Sequence, residues 1–260
     1  MSVYSGSIAS AAGSMISVLD TELVKNSNWS IYDASAGTNA KTYECKNEDN
    51  DVLFYLNVQD NQSDYSIVQM WEGWNATSHA GTGARTGTVY WRHDVGSYYI
   101  LLHNYDFIYI HYTTSTTYRV NWAGRMTEIQ TGERYYSLIG HPEYYLNTAS
   151  PCAGPGSYGS WRLLKDQTGA PNLSLNIFQG SGGMTNNYIL DDNDVAHLFL
   201  PFVFYTQIVF AYIEYFIPLG FPSLLEFAGG DIITVESEDW KVCQYGTGSG
   251  SSSFCLVRWI

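Results

Sequence analysis

The chain has 260 residues, with 12 Lys+Arg against 25 Asp+Glu and a formal charge of −13, so it repels phosphate backbones and is not expected to bind nucleic acid. With 45% hydrophobic, 16% aromatic and only 14% charged residues, it carries enough apolar material for one large β-rich domain or two small ones, and the composition excludes disorder. The 22 Tyr and 8 Trp suit pleated, half-buried surfaces and interfaces, where a ring is covered and its polar tip bonded.

In chain order, Ser7–Lys25 reads as an amphipathic helix, because Ile8, Ala12, Met15, Ile16, Leu19 and Leu23 recur at three- and four-residue steps. Ser5 or Ser7 would cap its start, and Asn26-Ser27-Asn28 would end it. From Trp29 on the pattern is strands and turns. Trp29–Tyr32, Lys41–Lys46, Val52–Val58 and Tyr65–Trp74 are strand candidates, and Gly81-Thr82-Gly83 is expected to open a flexible loop. Thr88–His93, Ser97–His103, Tyr105–Tyr112 and Tyr118–Trp122 follow at the spacing of an antiparallel meander.

A second style begins near His141-Pro142, and Pro151–Ser157 is a loop by composition. Strand candidates then run over Ser160–Leu164, Leu173–Phe178, Leu198–Tyr205, Ile208–Ile217, Asp231–Val235, Trp240–Gln244 and Phe254–Trp259, with a Gly/Ser hairpin tip at Gly246–Ser253. The run Val195–Ile217 is apolar, but His197, Pro201, Gln207 and Glu214 speak against a spanning helix, so no membrane segment is expected. The fold class is therefore mainly β: antiparallel sandwich or meander sheets with one N-terminal amphipathic helix. Residues 1–145 and 146–260 form two lobes or one continuous domain.

No serine has glycine at both −2 and +2, and Gly81–Gly87 lacks the ending of a phosphate loop, so no catalytic residue is nominated. His93, His103 and His111 fall on three successive strand candidates and would make a His₃ metal site if they converged; ordinary bonded histidines are the competing reading. His79, His141 and His197 complete the set. Asp191-Asp192-Asn193-Asp194 fails the order of a calcium loop and reads as a polar turn. No metal and no cofactor is expected.

Cys45, Cys152, Cys243 and Cys255 are too scattered for a zinc pattern and read as buried thiols of a reducing compartment, with a Cys243–Cys255 bridge as the alternative. Trp71, Trp74, Trp91 and the tyrosines that follow would form either sheet core and subunit interface or a sugar-stacking surface. Their occurrence on both strand faces favours the former. The interface candidates are Tyr98, Tyr99, Tyr105, Tyr109, Tyr112, Tyr118 and Trp122.

The order of segments resembles a loose class of tailed-bacteriophage virion proteins. The resemblance lies in Ser97–Ile110, Trp122–Met126 and Ser137–Gly140, then Leu219–Leu225, Gly230–Val235, Trp240–Val242 and Phe254–Trp259. It implies a non-enzymatic structural component of tail, neck or baseplate, assembled in the bacterial cytoplasm as a symmetric ring or adaptor with copies of itself and other virion proteins. It transfers no active site. A carbohydrate- or receptor-binding module at the tail tip is the second reading, and a hydrolase of unrecognised type the third.

Overall fold

A computed structural model describes residues 2–86, 88–114, 117–128 and 134–139, short strands between 161 and 219, and residues 229–235, 237–245 and 253–259. Strand β1 (Ser2–Ile8) comes first, then helix α1 (Ser14–Glu22) and a single 3-10 turn at Leu23–Lys25. Strands β2 (Trp29–Gly37), β3 (Ala40–Lys46), β4 (Val52–Gln59), β5 (Tyr65–Asn75), β6 (Ala80–Arg85) and β7 (Val89–Arg92) follow. Next are β8 (Gly96–His103), β9 (Asp106–Thr114), β10 (Thr117–Glu128), β11 (Arg134–Ile139) and β12 (Trp161–Leu163). Seven short strands come after: β13 (Asn176–Ile177), β14 (Gln179–Gly180), β15 (Gly183–Met184), β16 (Tyr188–Leu190), β17 (Ala196–Leu198), β18 (Phe202–Tyr205) and β19 (Phe210–Ile213). The last are β20 (Phe216–Leu219), β21 (Ile232–Val235), β22 (Glu238–Tyr245) and β23 (Ser253–Arg258).

The protein is mostly antiparallel β. One sheet runs β2-β3-β4-β5, with β6 and β7 both pairing with β5. A nine-stranded sheet runs β1-β8-β9-β10-β19-β18-β13, with β11 and β12 off the path beside β10. A four-stranded sheet, β20-β23-β22-β21, carries the C-terminal segments. Main-chain pairing of β10 with β19, Thr127↔Tyr212 and Glu128↔Ala211, crosses the expected lobe boundary near residue 145. No helix among the described residues is long and apolar enough to cross a membrane; the apolar run 195–217 contributes short strands.

The sandwich core follows from alternation along each strand. Phe54, Leu56, Val58, Val68, Met70 and Trp91 face inward from the first sheet, and Ile100, Leu102, Phe107 and Tyr109 meet them from the nine-stranded sheet. Trp29 stands edge-on to Phe54 at 5.4 Å and to Phe107 at 6.2 Å, and Trp91 lies 5.4 Å from Phe107. Burying an aromatic ring of this size contributes on the order of 3 kcal/mol. Helix α1 adds Met15, Ile16, Val18 and Leu19 to the same core.

Two expectations are corrected. The helix begins at Ser14, and residues 2–8 form a strand in continuous register with β8, from Ser2↔Leu102 to Ile8↔Gly96. The apolar stripe is real from Met15 on; upstream, weak local preference yields to pairing with β8. Neither Ser5 nor Ser7 caps the helix. Gly13 does so in a left-handed conformation (φ 86) that disfavours side chains, and the first-turn N–H groups of Met15 and Ile16 donate to Asp60 Oδ2 at 2.8 and 3.4 Å. A cap normally supplied by a neighbour comes here from a residue 45 positions away.

The second correction concerns Gly81-Thr82-Gly83, which lies in strand β6 rather than in a loop. Trp71 turns over this backbone, and a Cβ at Gly81 would fall 2.0 Å from its Cδ2, so the glycine is what lets the indole lie on the strand. The expected loop 151–157, the tip at 246–252, Asp191–Asp194, His141 and Cys152 lie outside the described residues.

Candidate functional site

The seven aromatic interface candidates sit in the middle of the layers. Tyr98, Tyr105, Tyr109, Tyr118 and Trp122 are buried within the chain, and Tyr99 and Tyr112 keep partial exposure. The reason is topological. The first sheet packs on one face of β8, β9 and β10, and the C-terminal sheet packs against the other. Tyr98 and Tyr109 point into the sandwich, where Tyr98 Oη donates to Glu22 at 3.4 Å and Tyr109 lies 6.4 Å from Trp91.

Tyr99, Tyr112 and Tyr118 share the opposite face as a stacked row, 5.0 Å between the first two rings and 5.3 Å between the last two. The C-terminal sheet packs there. Trp259 stands edge-on to Tyr99 at 5.0 Å, and Lys241 Nζ sits 4.6 Å from the Tyr99 ring and 4.5 Å from that of Trp259 while donating to the Gly230 carbonyl. Burial holds the Lys241 ammonium below the usual lysine range. These contacts place Tyr99, Tyr112 and Tyr118 between layers of one chain.

Asp33, Asp60 and Arg119 are buried charges that each anchor a polar node. At the first, Asp60 receives the helix N–H groups, accepts from Ser66 Oγ at 3.0 Å and lies 2.6 Å from His93 Nε2. Neither ring nitrogen of His93 makes an aligned hydrogen bond among the described residues, so the short approach to Asp60 lies off the N–H axis. At the second, Arg119 Nη1 donates to Asp94 Oδ1 and to His111 Nδ1, both at 2.7 Å, and His111 Nε2 donates to the Asp94 carbonyl at 2.8 Å. Burial and the adjacent Arg119 guanidinium push His111 down to about 4, and the Asp94 carboxylate opposes them.

The third node lies at the tip of the β5–β6 hairpin. Asp33 accepts from Trp74 Nε1 at 2.9 Å, His79 Nδ1 at 2.8 Å, and the Ser35 amide and hydroxyl at 3.0 and 3.2 Å. Burial alone would raise the Asp33 carboxyl; the donors from His79, Trp74 and Ser35 outweigh it and hold the group at about 2. An Asp–His pair of this kind orients an imidazole for proton transfer, but the neighbouring Ser35 hydroxyl is bonded to the carboxylate and not to the ring. The node is built to hold a hairpin.

Of the expected metal set, His93 and His111 face the sandwich, whereas His103 pairs with Asp106 at the far end of β8. No cluster of three or more His, Cys, Asp or Glu side chains that could hold a metal ion occurs among the described residues. Cys45 is a buried thiol, raised far above its ordinary range by burial, and Cys243 is buried opposite Cys255 in the β22–β23 register.

Two outward surfaces stand out among the described residues. The outward face of the first sheet carries the row Tyr55, Trp71 and Arg85 beside a buried Glu44, with Tyr32 edge-on to Tyr55 at 4.8 Å, Gln69 bonded to Thr88, and Tyr90 half exposed. The other surface is the outer edge of β1, which pairs with β8 on one side and with nothing on the other among the described residues. Sequence reasoning missed this edge because Ser7 and Ile8 read as the start of the helix and Ser2–Gly6 show no clear apolar–polar alternation. It missed Asp33, Asp60 and Arg119 because their partners are remote in sequence. No protein-family model matches the chain, and no curated protein matches it at a significant level.

Proposed function

We propose that the chain is a non-enzymatic structural protein of a tailed-phage virion, assembled in the host cytoplasm with copies of itself and with other proteins of the tail, neck or baseplate. The observation that carries this reading is spatial. Segments that resemble such proteins are spread from Ser97 to Trp259, yet those within the described residues fall on β8, β9, β10 and β11 in one sheet and on β21, β22 and β23 in the sheet packed against it. A scattered resemblance thus corresponds to one packed unit, as expected when the pattern reflects a shared architecture. The commitment of Asp33, Asp60 and Asp94 to internal donors supports a structural rather than a catalytic role.

Mass spectrometry of gradient-purified particles of the encoding phage tests the proposal. The expected result is the intact chain in virions at a copy number matching the symmetry of the tail. Recovery from the lysate but never from particles overturns it. The exposed face with Tyr32, Tyr55, Trp71 and Tyr90 set beside Gln69 and Thr88 favours a second reading, receptor binding, since sugar rings stack on such aromatics and bond to such polar groups. Selective retention of the purified chain on a glycan array would move that reading ahead.

A further inference from the structure

We infer that β1 is a pairing edge for a second copy of this chain, joined antiparallel across a two-fold axis. The inference deepens the assembly reading above and rests on it in naming a copy as the partner. Backbone N–H and C=O groups of a strand point alternately to its two sides, so about half of those on β1 face away from β8 and need water or another strand. Natural edges are blocked by charge, proline or bulges. The first sheet uses these devices. β2 has register shifts at Ile31/Asp33 and Asp33/Gly37, β6 has one against Trp71/Gly73, and β7 ends in Arg92 paired with Asp64. β1 uses none: Ser2-Val3-Tyr4-Ser5-Gly6-Ser7-Ile8 holds no charge, no proline and no shift over its whole register with β8.

Charge leaves this edge open to a copy. At −13 the chain repels its own copies over most approaches, and β1 is a stretch where two copies can meet without bringing acids together. The charge beside it, Lys25, lies 4.5 Å from the Tyr4 ring centroid and is neutralised by Glu22 at 2.5 Å. A two-fold axis through Ser5 sets that residue against its own counterpart, uses the same strand in both copies and overlaps all of Ser2–Ile8. The nine-stranded sheet would then continue from one copy into the next.

The test uses the full chain and two charge variants, Ser5→Lys and Ser5→Glu. Light scattering of the wild type at tens of micromolar should give a dimer, and hydrogen exchange should show amides of residues 2–8 gaining protection as concentration rises. Each variant alone should dimerise at least ~10-fold more weakly, because like charges would face each other across the axis. An equimolar mixture should restore the dimer, which also shows that both variants fold. A wild-type monomer, protection independent of concentration, indifference to both charges, or no rescue on mixing each overturns the inference. Dimerisation through β1 by a chain absent from particles would refute the virion reading alone. A particle-bound chain that never self-pairs would refute this inference alone.

Discussion

Protonation of His111 measures what the Asp94–Arg119–His111 node contributes to the fold. The ring is fully buried; its Nδ1 accepts from Arg119 and its Nε2 donates to the Asp94 carbonyl, so a second proton would have to sit on Nδ1 against a guanidinium. The folded value of about 4 lies below the ordinary 6.5, first through burial and then through Arg119. Between these two values the unfolded chain binds a proton that the folded chain refuses. The stability is therefore fully present above pH 6.5 and is lost as pH falls toward 4. At about 1.4 kcal/mol per unit, the whole interval corresponds to roughly 3 kcal/mol, of which about 2 kcal/mol falls between about pH 7 and pH 5.

Urea unfolding of the wild type and of His111→Asn across that range reads the difference. Asparagine keeps an acceptor for Arg119 but does not titrate. The variant should be less stable near neutrality by about 1–3 kcal/mol, from lost packing and hydrogen bonding. The gap should close by roughly 2 kcal/mol on acidification to about pH 5, because carboxylates common to both proteins cancel. Parallel stability curves with an unchanged gap would refute the assignment of a neutral, buried imidazole.

Asp60→Ala removes the acceptor for the α1 amides and for Ser66 at once, and should cost about 3 kcal/mol, with hydrogen exchange rising first over Ser14–Glu22; unaltered exchange there would show that Asp60 is not the cap. Tyr109→Asp places a carboxylate in the sandwich core and should cost more than ~3 kcal/mol, whereas Tyr90→Asp, at a position 49% exposed, should change stability by less than ~0.5 kcal/mol. Equal thermal midpoints for these two variants would contradict the burial pattern. Asp33, held at about 2, stabilises the fold above its ordinary 3.8, and that contribution is lost as pH falls through this value toward 2. Asp33→Asn should therefore flatten the acid limb and redden Trp74 emission near neutrality, and an acid limb identical to wild type would count against it.

The strand content was legible in the sequence because period-two alternation is local: Tyr65–Trp74, Ser97–His103 and Tyr105–Tyr112 match β5, β8 and β9 to within a residue or two, whereas the segment expected at Tyr118–Trp122 runs on to Glu128. The helix was legible only where its stripe meets the core, from Met15 on. Alternation states that a side chain lies on a face but not what covers that face. Tyr98 and Tyr99, adjacent in sequence, are therefore read alike, yet one enters the sandwich and the other lies under Lys241 and Trp259.

Composition and spacing alone determined that this is an acidic, aromatic-rich, antiparallel β protein with a short N-terminal helix. Only the tertiary structure decided which strands are interior and which form an edge, and hence that the aromatic meander is buried while the plain segment Ser2–Ile8 is an edge among the described residues. It also decided the polar nodes. Met15 to Asp60, Trp74 to Asp33 and Arg119 to Asp94 are 45, 41 and 25 residues apart, and a hydrogen bond over such a distance has no local signature, since its donor and acceptor meet only after the sheets have paired.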